Sequence, residues 1–207
     1  MKKNLILIIL IIMPTLSYAE NKNYFQFEYG ESKLDSGISA TAGTPSIDEK
    51  DKSFGITYGY NLKNSNTFLE FGYIDLGSYN IKGKNGDSII TKHGDTEDFT
   101  EDKTIGTEAT SFKIGIKQDL YNSEQLEISG RIGIHSYRSI HTQTSATDGT
   151  ETLLDKADKK YYGLGASYNF GDFKTNLNYT YYDINTRSTF LEDVTTITVG
   201  LSYKKEF

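Results

Sequence analysis

Apolar and polar residues alternate one by one along this chain in about eight separate runs, and a period of two is that of a β-strand whose two faces meet different surroundings. Phe25, Phe27 and Tyr29 alternate with Gln26, Glu28 and Gly30, and Phe54, Ile56, Tyr58 and Tyr60 with Ser53, Gly55, Thr57 and Gly59. Further runs fall at Leu69–Tyr73, Phe112–Ile116, Leu126–Ile134, Tyr162–Tyr168, Phe173–Tyr181 and Ile197–Tyr203. The connections between them alternate in length. Long ones run from Glu31 to Asp51, Gly77 to Thr107, Ser139 to Asp158 and Ile184 to Val194; short ones lie near Asn61 to Asn66, Tyr121 to Glu124 and Gly171 to Asp172.

Alternation by itself does not say which face is buried, because a soluble sandwich has the same period. Glycine placement separates the two. Gly30, Gly55, Gly59, Gly72, Gly115, Gly133, Gly163, Gly165 and Gly200 all share the polar face, with Gly130 the exception. On a water-facing surface they would only weaken the strands, whereas inside a narrow barrel they make room for Glu70, Lys113, Lys117, Glu127, Arg131 and Lys174. The pattern therefore predicts an all-β chain, an eight-stranded antiparallel up-and-down transmembrane β-barrel with lipid outside and a crowded polar lumen. Short periplasmic turns and four long extracellular loops follow from the alternation of connection lengths.

The start of the chain agrees with export. Lys2 and Lys3 precede an apolar run from Leu5 to Ile12, and Ser17-Tyr18-Ala19 supplies a small-residue cleavage site. Residues 1–19 are expected to be a signal peptide and residues 20–207 the barrel domain, since the apolar run is too short for a spanning helix. No later stretch approaches the ~20 apolar residues a helix needs, and mean hydropathy is −0.51. Sixteen Tyr and 11 Phe with 2 Pro favour strands. The chain has no cysteine, which excludes disulfides and a lipoprotein anchor.

With strands in this order, the chain resembles the small outer-membrane barrels of the OmpA transmembrane-domain and OmpX/Ail type, over residues 23 to 207. The segments TFLEFGYIDLGS, FKIGIKQDL, LEISGRIGIHSYR, YYGLGASYNF, FKTNLNYTYY and TVGLSYKKEF carry the likeness. It implies a Gram-negative outer membrane, contact with lipid and lipopolysaccharide, and folding by the barrel-assembly machinery. That machinery would read the terminal strand through Val199, Leu201, Tyr203 and Phe207. Lys205 stands where another apolar residue is common, and its side chain is expected to snorkel to the periplasmic headgroups. The likeness also places Glu70 and Lys113 at a gate carboxylate and lysine, while Ser167 and Asn176 replace a second carboxylate and an arginine. With that switch incomplete, Glu70, Lys113, Lys117, Glu127 and Arg131 are expected to form a lumenal ion-pair network whose charges satisfy one another, and Glu70 to lie within reach of Lys113 or Arg131.

Three other chemistries fit the chain less well. His135 and Ser136 are adjacent on a strand and point to opposite faces, so they cannot be base and nucleophile. His141 shares a face with Ser139, without a surrounding motif; His93 is the third histidine. No catalytic residue, cofactor or metal is assigned, and a lipid A-modifying enzyme is the weakest reading. Asp87, Asp95, Glu97, Asp98, Glu101 and Asp102 lack calcium-loop spacing and read as a solvated acidic loop. A net charge of −6 argues against nucleic acid. An eight-stranded barrel is too narrow for a porin, although a narrow, low-conductance channel remains as the alternative of porin-family type. The leading expectation is a non-enzymatic scaffold whose surface-exposed loops serve envelope integrity or adhesion to a host or neighbouring cell.

Overall fold

The computed structural model describes residues 23–62, 66–91, 94–145, 147–184 and 193–205, so residues 1–19, His93 and Phe207 lie outside the described residues. Twelve strands are formed among the described residues: β1 (Asn23–Asp35), β2 (Ser39–Ala42), β3 (Ser46–Asp48), β4 (Lys50–Asn61), β5 (Thr67–Gly83), β6 (Ser88–Ile90), β7 (Thr96–Asp98), β8 (Lys103–Asn122), β9 (Leu126–Ser145), β10 (Gly149–Phe170), β11 (Phe173–Tyr182) and β12 (Asp193–Lys205). Eight of them pair in the order β5-β4-β1-β12-β11-β10-β9-β8, and β5 pairs with β8 to close the ring. Every pairing is antiparallel. Closure leaves no strand edge within the ring, which is what lipid requires of a sheet.

The barrel is apolar outside. Ile132 is 65% exposed, Val199 61% and Leu164 60%, whereas Glu70 and Glu127 are buried on the inner face. From Tyr162 to Phe170 the outward side of β10 is wholly apolar, a stretch matching the ~9–11 residues that cross a hydrocarbon core.

The long connections carry strands of their own, where the sequence marks only long loops. β9 and β10 stay paired without a break from Leu126↔Tyr168 to Ser145↔Gly149, so the segment Ser139–Asp158 is a hairpin wall and not a loop. At ~3.3 Å per residue and 35–45° of tilt, that wall rises about 30 Å above the apolar belt. Beside it β3 extends the sheet against β5, and β2, β6 and β7 form a second small sheet.

A bulge turns β5 inside out. The register shifts between Asp75 and Gly77, and Ile74, Leu76, Tyr79 and Ile81 are all buried although they do not share one parity. Gly77 takes φ +86°, and a Cβ there would stand 2.7 Å from the Lys52 carbonyl oxygen, so both backbone and space call for glycine. The Leu76 carbonyl accepts from the Ser32 hydroxyl at 2.6 Å and the Tyr79 hydroxyl at 2.7 Å, which satisfies the group the bulge frees from the ladder.

Candidate functional site

The lumen is built by the residues that the strand period turns inward. Glu28 of β1, Glu70 of β5, Asp119 of β8 and Glu127 of β9 face Lys113 and Lys117 of β8, Arg131 of β9 and Lys174 of β11, equal numbers of each sign among the described residues. Lys113 Nζ donates to Glu28 Oε1 at 2.9 Å. Glu28 Oε2 also accepts from Thr198 at 3.0 Å. Arg131 Nη2 stands 3.8 Å from Glu70 Oε1, an oxygen that also accepts from the Tyr24 hydroxyl. Lys117 reaches Glu127 at 2.6 Å and Asp119 at 2.8 Å, and Lys174 bonds the other Glu127 oxygen.

All five residues expected from the sequence to form the network thus lie in one polar core, but the pairing differs from the family gate: Lys113 takes Glu28, and Glu70 takes Arg131 and Tyr24. Ser167 and Asn176 sit directly opposite one another, the serine donating to Asn176 Oδ1 at 2.8 Å. Glu28, Asp119 and Tyr24 are members that the sequence reading leaves out. Both carboxylates could have been found: Glu28 shares a strand face with Gln26 and Gly30, and Asp119 continues the inward face of Lys113 and Lys117, the bulge coming only after it.

Inward glycines are occupied by these side chains. A Cβ on Gly72 would lie 2.7 Å from Lys113 Cε, and one on Gly55 would lie 2.7 Å from Glu28 Cγ. Gly115 and Gly133 together seat the Tyr161 ring and hydroxyl. Gly130 faces outward, with only Leu120 Cδ1 at 3.6 Å.

Both ends of the ionic layer are covered. On the periplasmic side Tyr24 and Phe68 meet edge to face at 5.3 Å, with Lys117 Nζ 5.2 and 4.8 Å from their ring centres. On the extracellular side Leu34, Ile74, Leu76, Tyr137, Tyr161 and Tyr182 form an apolar layer across the bore. Above it Ile38, Ile81, Ile89, Phe99 and Ile105 make a second core under the small sheet.

Asp95, Asp98 and Asp102 are exposed, in keeping with a solvated acidic loop, but the segment is ordered by its own carboxylates. Asp87 accepts from the Thr44 amide at 3.0 Å and the Lys84 amide at 2.7 Å; Asp98 accepts from Ser88 at 2.6 Å. Glu101 accepts from the Thr147 amide at 3.0 Å and from its hydroxyl. Asp87 and Glu101 are thereby held below the ordinary carboxylate range, by the Lys84 and Thr44 amides for the first and by the Thr147 and Ser145 hydroxyls for the second. Three extracellular segments are stitched to one cap. Among the described residues no group of His, Asp and Glu is placed to hold a metal.

Both described histidines are tied up in structural bonds. His135 is buried, Nδ1 2.8 Å from the Ser111 hydroxyl and Nε2 2.8 Å from the Asp183 carbonyl, while Ser136 is exposed on the opposite face. His141 has Thr107 Oγ1 at 2.8 Å and Ser139 Oγ at 3.3 Å, so hydroxyls take both of its ring nitrogens.

Among the described residues the wall has one open side. β11 pairs with β10 only between Tyr161 and Phe170, and the Asp183 amide donates to the Lys160 carbonyl just above. Even-numbered residues of β10 therefore direct their backbone groups to that side, and from Thr150 to Asp158 they meet no strand among the described residues. In the terminal strand, Val199, Leu201 and Tyr203 project outward from β12.

No curated protein matches the chain. Among solved structures it is similar to the attachment invasion locus protein Ail of Yersinia pestis, crystallised with the heparin analogue sucrose octasulfate: 15% identity, 90% of this chain and 100% of that one, TM-score 0.52. A major outer membrane protein of Thermus thermophilus gives 10% identity, 88% and 99% coverage and TM-score 0.52. The outer membrane protease OmpT of Escherichia coli gives 15%, 91%, 98% and 0.48. The model of the outer membrane protein beta-barrel domain matches residues 5–204. With an inward polar face, an outward apolar face and a closed ring of eight strands, the chain belongs to the outer membrane protein beta-barrel domain family and is an outer-membrane protein.

Proposed function

We propose that this protein is a non-enzymatic surface scaffold that uses the β9–β10 wall to contact a host or a neighbouring cell. The carrying observation is the edge of β10 from Thr150 to Asp158, which meets no strand among the described residues and stands far above the apolar belt, with Leu153 61% and Leu154 47% exposed beside it. An exposed strand edge invites another strand, which gains main-chain hydrogen bonds and side-chain pockets at alternate positions. The sulfated ligand seen with Ail fits this crown poorly, since the loop from Asn85 to Lys103 is rich in carboxylates that would repel it. A balanced, covered lumen speaks against the narrow-channel alternative. The two described histidines, bonded to hydroxyls and a backbone carbonyl and without a carboxylate partner among the described residues, speak against a lipid A-modifying enzyme.

Export through the signal peptide at residues 1–19, and assembly by the barrel-assembly machinery through Val199, Leu201, Tyr203 and Phe207, complete the reading. The test is Thr152→Pro. Its backbone N–H faces the open side, so proline removes an edge donor and leaves the β9 ladder whole. Cells displaying this variant should keep a heat-modifiable barrel and lose adherence; unchanged adherence to host cells and to neighbouring bacteria sinks the proposal.

A further inference from the structure

From Thr150 to Asp158 the edge of β10 carries charges of both signs, Glu151, Asp155, Lys156 and Asp158, with Leu153 and Leu154 among them. Mixed charges guard an edge against indiscriminate pairing, because most registers set like against like. Two copies of one edge that both direct their even-numbered residues outward pair antiparallel, even to even, so the twofold axis between them passes through a residue. The lower end of the edge limits where that axis falls: the Lys160 carbonyl already accepts from the Asp183 amide, so the ladder of a second copy must stop short of Lys160.

An axis at Leu154 meets both demands. Gly149, the first residue of the strand, then falls opposite Lys159 and clears the Asp183 bond. On the outer side Thr150 faces Asp158, Thr152 faces Lys156 and Leu154 faces itself, all five of these residues being exposed. On the inner side Leu153 faces Asp155, and Glu151 faces the small Ala157, with Lys159 on one diagonal and Asp155 on the other. No like charges stand directly opposite. Moving the axis to Leu153 sets Glu151 against Asp155; moving it to Asp155 sets that carboxylate against itself and runs Thr150 into Lys160.

We propose that the β10 edge binds the same edge of a second copy of this chain, seated in a facing membrane, in the register centred on Leu154. The proposal rests on the reading of that edge as a contact surface and names its occupant. Antiparallel pairing turns the second barrel the other way up, so the two copies belong to two membranes. Leu154 lies eight residues above Tyr162 at the top of the belt, a height of about 20 Å at the rise and tilt of such strands, which sets the two hydrocarbon cores about 40 Å apart. A wall about 30 Å tall ends short of the facing core, and the gap admits both headgroup layers. The two walls become one sheet, with main-chain hydrogen bonds along the edge and the Leu154 pair at its centre.

The experiment uses the full-length barrel, which has no cysteine of its own, reconstituted in two populations of phosphatidylcholine vesicles that carry tags of different length. The parent should make the vesicles cluster, read by light scattering; Thr152→Pro and Leu154→Asp should each abolish the clusters and keep a heat-modifiable band. Under mild oxidation Leu154→Cys should link to itself across the two populations, because facing residues of a hydrogen-bonded pair stand about 5.5 Å apart at Cα, within disulfide reach. Thr152→Cys should not link to itself, being displaced by four residues or about 13 Å, but should link to Lys156→Cys on the other population. Dimers only between like tags, self-linking of Thr152→Cys equal to that of Leu154→Cys, or vesicles that never cluster each overturn the proposal. If vesicles stay apart while displaying cells still lose adherence to host cells through Thr152→Pro, the self-pairing falls and the reading of the edge as a contact surface stands.

Discussion

Lys113 on β8 and Glu28 on β1 meet at 2.9 Å across the lumen, joining two strands that are not neighbours in the ring. Both side chains are almost wholly buried. Removing one partner strands a charge, which costs about 3–5 kcal/mol, whereas replacing both with apolar groups of similar size is far milder. Glu28→Ala should therefore lower the urea concentration at which the barrel unfolds by much more than Glu28→Met combined with Lys113→Met. Equal losses would mean that the pair is incidental to stability.

Glycine at position 72 provides the space for the Lys113 stem. Gly72→Ala should destabilise the barrel by about 1–3 kcal/mol through overpacking, and Gly130→Ala, facing lipid with nothing closer than 3.6 Å, should be near neutral. Thermal loss of the compact band in the two variants checks this. The reverse order would turn the inner and outer faces around.

Acid should loosen the extracellular cap before the barrel. Asp87 and Glu101 have depressed values in the folded cap, so their contribution is fully present above the ordinary carboxylate value of about 4 and is lost as pH falls through the folded values. Hydrogen exchange of the Thr44, Lys84 and Thr147 amides, corrected for intrinsic rate, should show protection at pH ~6 that falls below pH ~4. Protection constant down to pH ~2 would mean that these carboxylates are not the staples.

Assembly is expected to depend on the terminal aromatic. Phe207→Ser should reduce the heat-modifiable fraction in the outer membrane strongly, while Asp98→Ser, which loses only the Ser88 bond, should insert normally. Equal insertion of both would remove the assembly role from the terminal strand.

Faces were legible from sequence wherever one side of a strand met lipid and the other the lumen, because only that contrast writes a period of two. Above the belt both sides of β9 and β10 are polar or mixed, and the signal vanishes although the ladder continues to Ser145 and Gly149. The short strands β2, β3, β6 and β7 were hidden for the same reason, and the extra residue at Leu76 reversed the parity of β5 with no mark in composition. Within the site, membership of Glu70, Lys113 and Arg131 in one lumen followed from parity alone. Arg131 was one of the two partners expected for Glu70, whereas Glu28 was not expected for Lys113, since the stagger of the ring decides which residues meet across the bore.

The aromatic pair of Tyr24 and Phe68 below, and the Tyr161 and Tyr182 layer above, bracket a bore already filled by its own ions. For a surface scaffold of the kind proposed, that arrangement predicts that the envelope's permeability to small solutes does not rise with the number of copies it carries.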